Sequence, residues 1–229
     1  MRDAWRLAVG TLTALPVRPP ERVDRTTARR AMLLAPVAAV PLGLLVALVL
    51  VAGRTLEVPP LAVGLLTVGA LAAGSRALHW DGLSDTVDGL TASYDPVRSL
   101  AVMRSGTSGP AGVLATVVVA GVQATALTAY LDRPLLAGAL VCLSRCALWI
   151  VCCTRVPAAR ADGLGADVAR TVPVPVAVLG GLLLSVLGGL VVLVLVHRAG
   201  RRFGGVTGDV MGAAVELALA TTLLVWAAG

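Results

Sequence analysis

Residues 31–53 read AMLLAPVAAVPLGLLVALVLVAG and contain no charged side chain. At about 1.5 Å per residue, a helix of this length reaches about 35 Å, which is enough to cross the ~30 Å of hydrocarbon in a bilayer. The sequence therefore predicts an all-α, polytopic helical membrane protein with about five to seven transmembrane segments in a single domain, residues 1–229. Further largely apolar stretches of similar length lie at 58–78, 111–130, 134–153, 172–196 and 210–228.

The composition agrees with a membrane protein and excludes a nucleic-acid partner. Of the 229 residues, 57% are hydrophobic and only 14% are charged, which is far from the balance of a soluble domain. The net charge of +6 comes from arginines that flank the apolar stretches. Aromatic residues, which single-stranded nucleic-acid sites use to stack bases, make up only 3% of the chain.

The N-terminal region predicts how the chain is oriented. Trp5, Ala8 and Leu12 follow helical spacing with arginines on the other side, so we expect an interfacial amphipathic helix. Residues 18–30 carry five arginines directly before the first apolar stretch. By the positive-inside rule, this end is cytoplasmic in a multi-pass protein of the bacterial plasma membrane.

The stretch 172–196 does not fit this topology. A single crossing there would place the arginines at 198–202 outside, against the positive-inside rule, and two full crossings do not fit in that length. The glycine pairs at 180–181 and 188–189 could mark a break, a re-entrant segment or tight helix packing. The sequence leaves these three alternatives open.

Three aspartates follow the second apolar stretch, in the segment HWDGLSDTVDG at 79–89. On a helix, the spacings of four and three place Asp81, Asp85 and Asp88 within a sector roughly 60° wide. Three like charges on one face repel each other, so this face predicts a divalent metal held at the cytoplasmic membrane surface to handle phosphate. The alternative is a solvated acidic loop, because Asp-Gly is also typical of turns.

A second polar segment, GGVTGD at 204–209, follows the arginines that end at Arg202. Its glycines, including Gly205, expose backbone N–H groups, Thr207 adds a hydroxyl, and Asp209 could complete a metal shell. It is not a Walker A loop, because the Gly-Lys-Ser/Thr ending is absent. The alternative is a flexible loop between helices.

Three arginines are candidates for clamping phosphate oxygens. Arg104 precedes the small and hydroxyl residues SGTSGPAG, although this segment could equally be a plain loop. Arg145 lies near the middle of an apolar stretch, where an arginine needs a partner, an aspartate or a substrate phosphate. Arg202 belongs to the basic run before the glycine-rich segment.

Together these motifs resemble the cobalamin synthase family, the adenosylcobinamide-GDP ribazoletransferases. LHWDGLSDTVDG at 78–89 is similar to the family motif L-H-x-D-G-L-A-D-T-x-D-G. GGVTGDVMGA at 204–213 is similar to its closing G-G-x-T-G-D-x-x-G-A, and TALPV at 13–17 to its opening T-x-L-P-V. The resemblance covers nearly the whole chain in order.

This resemblance implies the final joining step in assembling the lower ligand of vitamin B12. The hydroxyl of α-ribazole, or of its 5′-phosphate, would attack the cobinamide-side phosphorus of adenosylcobinamide-GDP and release GMP. Magnesium is expected as cofactor, with Asp81, Asp85 and Asp88 as ligands and one of them as proton acceptor, and with Asp209 as a further ligand. The other expected partner is the lipid bilayer, and a homo-oligomer is left open.

Three rival interpretations stay open. Asp85 to Gly89 match the first half of the D-x-x-D-G pattern of CDP-alcohol phosphotransferases, although the second half is missing. A transporter would also carry charge in its membrane segments, but here the acids cluster at one edge and no inverted repeat is visible. The family usually has an acid in the part matching 103–110, and its absence here would also fit an inactive homologue.

Overall fold

A computed structural model describes residues 1–228, and this part of the chain is built from α-helices and contains no β-strand. The all-α prediction is therefore confirmed. Thirteen α-helices are found within this range: α1 (Arg2–Leu12), α2 (Arg25–Ala38), α3 (Val40–Thr55), α4 (Pro60–Gly74), α5 (Leu78–Ala92), α6 (Pro96–Val102), α7 (Pro110–Leu127), α8 (Pro134–Ser144), α9 (Ala147–Val151), α10 (Leu164–Val168), α11 (Val174–Leu183), α12 (Ser185–Phe203) and α13 (Gly208–Ala227).

In the described part of the chain, four helical segments are long and apolar enough to cross a membrane: Arg25–Thr55, Pro110–Tyr130, Pro134–Val151 and Gly208–Ala227. A fifth exists only if α4 and α5 are counted together, since these two helices meet at a bend of 93°. The count agrees roughly with the predicted five to seven. The predicted N-terminal helix is present as α1, whose apolar side packs against α2.

Polar contacts near the ends of helices define the two ends of the bundle. At one end, Arg54 Nη2 lies 2.9 Å from Asp132 Oδ1, and the Tyr130 hydroxyl donates a hydrogen bond to the carbonyl of Leu223. At the other end, Arg25 Nη2 donates to the carbonyl of Arg170 at 2.8 Å. The N-termini of α2, α7 and α13 therefore lie at one end, and the loops after α3 and α7 lie at the other.

The chain between α11 and α12 reverses direction. A Cβ added to Gly189 would lie only 2.8 Å from the carbonyl oxygen of Gly181, and residues eight apart on one straight helix would be about 12 Å apart. The turn is at Ser185, whose φ of 65° is left-handed. Of the three alternatives for this stretch, the structure contains two together: a break at residues 184–185 and tight glycine packing between α11 and α12.

This hairpin also explains the position of the basic run at the end of α12. Since α11 has ten residues, it is about 15 Å long, half of the ~30 Å needed to span hydrocarbon. After the hairpin, the N–H of Val206 donates to the carbonyl of Pro157, and the N–H of Ala159 donates to that of Val206, both at 2.9 Å. Arg202 therefore returns to the end of the molecule that holds the 154–163 loop, and one full crossing is not required.

Candidate active site

Two glycines bring the two sequence motifs together where α5 crosses α13. A Cβ on Gly82 would lie 2.6 Å from the carbonyl oxygen of Asp209, and one on Gly212 would lie 2.9 Å from the Cα of His79. Side chains at these positions would hold the helices apart, so glycine is what permits backbone contact. As a result, Asp209 at the start of α13 lies beside the aspartate face of α5.

The carboxylates at this crossing repel one another. The charges that act on Asp85 most strongly are those of Asp81 and Asp209, followed by Asp88. Asp81 is exposed, whereas Asp85 and Asp209 are partly buried. The Thr207 hydroxyl caps α13 by accepting from the N–H of Val210 and donates to Asp209 Oδ2 at 3.1 Å. This cluster is a concentration of negative charge that a cation would stabilise.

Asp88 has a different environment from the other aspartates of α5. It is buried, and its two carboxylate oxygens accept hydrogen bonds from the backbone N–H groups of Gly109 and Gly112, at 2.7 and 2.8 Å. These are N–H groups at the start of α7 that lack partners within their own helix. Asp88 thus caps α7 from outside, a role that the spacing argument did not predict, and its metal ligation stays a prediction.

Two cavities meet at Asp209. One, of about 250 Å³, is lined by Arg104, Arg160, Asp162, Thr207 and the 163–166 segment. The two arginines suit phosphate oxygens. The other cavity, of about 270 Å³, combines Asp81, Asp209, Arg76 and His79 with apolar walls that suit an organic group. The apolar part of its lining includes Leu12, Met32, Leu148 and Met211.

Sequence reasoning missed Arg160, which lies in the loop between α9 and α10. Its Nη1 lies 3.8 Å from Asp209 Oδ2, and its Nη2 donates to the carbonyl of Leu100 at 2.9 Å. Burial lowers the pKa of Arg160 from its ordinary value, while the charge of Asp209 acts in the opposite direction. In the same cavity Arg104 Nη2 lies 2.6 Å from Asp162 Oδ1. The two arginines therefore place positive charge beside the carboxylates.

The structure does not bring the other predicted substrate-binding residues to this site. Arg145 is 1% exposed and donates to the carbonyl of Val141 and the hydroxyl of Ser144, so a ligand cannot reach it in this structure. Arg202 lines a different cavity, near Tyr94. Gly205 is buried against the backbone of Pro157, where its role is close packing.

A buried polar cluster lies beneath the crossing and was also missed. His79 Nδ1 is 3.5 Å from Glu216 Oε1, and Gln123 Nε2 donates to Glu216 Oε2 at 2.8 Å. The negative charge of Glu216 also acts favourably on the buried Arg145, although no ion pair joins the two side chains within residues 1–228. The signal was available in the sequence, because Glu216 is seven residues, or two turns, after Asp209 and shares its helix face.

The carboxylates fit a magnesium ion held jointly with substrate. Within residues 1–228, no three His, Cys, Asp or Glu side chains converge on a single point as a complete protein ligand set. Mg²⁺ usually takes only one or two carboxylates and completes its shell with water and substrate phosphates. Asp81, Asp85 and Asp209 supply oxygen donors of this kind next to the cavity that holds Arg104 and Arg160.

Comparison with known proteins identifies the family. The family model CobS, cobalamin-5-phosphate synthase, matches residues 4–227. A protein of a Nocardioides species is 88% identical over the full length of both chains. Proteins of Frankia casuarinae and Bradyrhizobium diazoefficiens are 37% and 35% identical, each match covering 97% of this chain and 93% or 92% of the relative. All three relatives are named adenosylcobinamide-GDP ribazoletransferase.

No solved structure matches the chain. The sequence matches are nevertheless decisive, since they extend through both motifs that meet at the α5–α13 crossing and cover nearly every residue. The resemblance seen in the segments 78–89 and 204–213 is confirmed. The chain belongs to the CobS family of cobalamin-5-phosphate synthases.

Proposed function

We propose that this chain is an adenosylcobinamide-GDP ribazoletransferase that completes the assembly of cobalamin. A hydroxyl of α-ribazole, or of its 5′-phosphate, attacks the cobinamide-side phosphorus of adenosylcobinamide-GDP. A new P–O bond forms, the bond from that phosphorus to the bridging oxygen breaks, and GMP leaves with the bridging oxygen. The observation that carries this proposal is the meeting of the aspartate face of α5 with Asp209, Arg104 and Arg160 at one pair of cavities.

The residues at the crossing divide this chemistry among them. Asp81, Asp85 and Asp209 would hold Mg²⁺, which when bound neutralises the charge on the phosphoryl group in transfer. Asp85 accepts the proton of the attacking hydroxyl, because its carboxylate lies among the others and is partly shielded from water. Arg104 and Arg160 bind the oxygens of the diphosphate, which positions the bridging oxygen to leave.

We also infer that the reaction takes place at the cytoplasmic face of the plasma membrane. The arginine-rich segment 18–30 precedes α2, and Arg25 contacts Arg170 at the end of the bundle that holds the N-termini of α7 and α13. The positive-inside rule assigns such an end to the cytoplasm. At a cytoplasmic site, a water-soluble donor can enter from the cytoplasm and the released GMP can diffuse away into it.

The direct test is the release of GMP by purified protein given adenosylcobinamide-GDP, α-ribazole or its 5′-phosphate, and Mg²⁺. We expect equimolar GMP and a cobalamin product, and no product when a chelator is added. In a parallel assay supplied with a CDP-alcohol, formation of a lipid product, with no cobalamin in the first assay, would favour a CDP-alcohol phosphotransferase. Absence of GMP from folded protein with both acceptors would contradict the proposal.

The role of the carboxylates is tested by Asp85→Asn, with Asp132→Asn as the matched control. Both changes remove one negative charge, but Asp132 is exposed at the opposite end of the bundle, where it pairs with Arg54. We expect Asp85→Asn to lower turnover by at least about 100-fold, as for loss of a proton acceptor. Asp132→Asn should keep normal turnover. Equal activity in the two variants would exclude Asp85 from the chemistry.

A further inference from the structure

A third cavity, of about 670 Å³, lies where the end of α5 meets the end of α12. It shares no lining residue with the two cavities at Asp209. Four of its side chains are basic or can become so, and the rest of the lining is one leucine and one tyrosine. The lining residues are Leu90, Tyr94, His197, Arg198, Arg201 and Arg202.

One arginine of this cavity is held in place by neighbouring groups, and within residues 1–228 the arginines of the cavity have no acidic partner. The Arg202 guanidinium stacks over the Tyr94 ring at 4.1 Å and donates to the carbonyl of Ser93. None of the ion pairs found within residues 1–228 involves an arginine of this cavity. The neighbouring Asp95 accepts from the N–H of Val97 as the cap of α6. Clustered cations repel each other, so the cavity is suited to an anion.

The cavity continues an apolar surface of α12. Leu187, Leu190 and Val194 are each more than half exposed. Their spacings of three and four continue to Arg198 and Arg201, so all five side chains fall within a helix sector about 80° wide. One face of α12 therefore changes from apolar to basic within a single turn. An amphiphile with an anionic head could contact both the apolar and the basic part of this helix face. A soluble anion would contact only the basic part.

We propose that this cavity binds the phosphate of an anionic phospholipid headgroup, with the acyl chains lying along the apolar face of α12. Basic pockets beside membrane helices on the cytoplasmic side bind such headgroups. A second copy of the chain is disfavoured as occupant, because it would bring a further net charge of +6 to a basic surface. The sequence analysis made Arg202 a candidate for binding the phosphate of the substrate. Under this proposal, Arg202 binds the phosphate of a lipid. This inference rests on the cytoplasmic placement inferred above, but not on the proposed catalytic activity.

The test compares thermal unfolding of purified protein in mixed micelles containing dioleoylphosphatidylglycerol or dioleoylphosphatidylcholine. A ligand that binds only the folded state raises the unfolding midpoint with its concentration. We expect the phosphatidylglycerol, and not the phosphatidylcholine, to raise it. The variant Arg198→Ala/Arg201→Ala should bind phosphatidylglycerol about 30-fold more weakly, because each basic residue near an anionic lipid contributes about 1 kcal/mol. Both side chains are exposed, so their removal leaves the fold intact.

The matched control is Arg29→Ala/Arg30→Ala, which removes the same charge from exposed positions at the start of α2. This control should keep the wild-type response, and Arg198→Lys/Arg201→Lys should restore most of it. The proposal is overturned if phosphatidylglycerol has no effect on the wild-type protein, or if the two alanine variants respond alike. A midpoint shift by GDP that disappears only in Arg198→Ala/Arg201→Ala would assign the cavity to the substrate and overturn it as well.

Discussion

At the scale of single residues, Asp85 and Asp88 are both aspartates of helix α5, but their environments differ. Asp85 lies among other carboxylates and is partly buried, whereas Asp88 is buried with both oxygens bonded to backbone N–H groups of α7. A carboxylate that accepts N–H bonds stabilises the fold, and one that faces like charges does not. The two residues should therefore separate activity from stability.

We expect Asp88→Ala to lower the free energy of unfolding by about 1–3 kcal/mol. The substitution leaves the N–H of Gly112 buried without an acceptor and removes the cap of α7. Thermal unfolding in detergent measures the loss. Asp85→Asn serves as the comparison, since it removes one of several repelling charges and should leave the unfolding midpoint unchanged or raised. An Asp88→Ala protein as stable as the wild type would show that the cap is not needed.

The sequence predicted the separate residues of the site better than their roles. The spacing of the aspartates predicted a helix with one acidic face, and α5 is that helix. It could not predict that the third carboxylate faces the α7 terminus, because this depends on where another helix begins in space. Arg160 was missed for the same reason, since its partners Asp209 and Leu100 lie 49 and 60 residues away in the chain.

At the scale of helices, the site depends on how closely α5 approaches α13. Gly82→Ala would place a Cβ 2.6 Å from the carbonyl oxygen of Asp209, and backbone atoms on both sides cannot move aside as a side chain can. Overpacking of this kind costs about 1–3 kcal/mol. A displacement of about 1 Å at a reacting centre can lower turnover about 100-fold. We expect both losses in Gly82→Ala, measured by thermal unfolding and by GMP release.

The matched control for this helix contact is Gly69→Ala in α4. A Cβ at Gly69 meets no atom within 4 Å, so the change should be neutral or slightly stabilising, as alanine favours helix by about 1 kcal/mol over glycine. Normal turnover in Gly82→Ala would contradict the close crossing. In the structure, the glycine at position 82 of the 78–89 motif makes room for α13.

At the scale of the whole molecule, the sequence predicted a helical membrane protein but not the course of residues 172–203. Apolar length alone does not distinguish a crossing from a hairpin, because both consist of apolar helix. The distinction lies in the contact between Gly181 and Gly189 and in the left-handed turn at Ser185. These are tertiary and backbone features for which the glycine pairs were only an ambiguous signal.

The hairpin predicts which loops share a side of the membrane. Cysteines introduced one at a time at the exposed positions Ala161 and Gly200 should react with a membrane-impermeant maleimide in the same vesicle orientation. If this side is cytoplasmic, that orientation is the one found in inverted vesicles. A cysteine at Arg133, in the loop at the opposite end of the bundle, should react only in the other orientation. The unsubstituted protein gives the background, which should be low because Cys146, Cys152 and Cys153 are buried and Cys142 is half-buried. Labelling of position 200 together with position 133 would mean that the α11–α12 segment crosses the bilayer, and the arginines at 198–202 would then lie on the side opposite the aspartates.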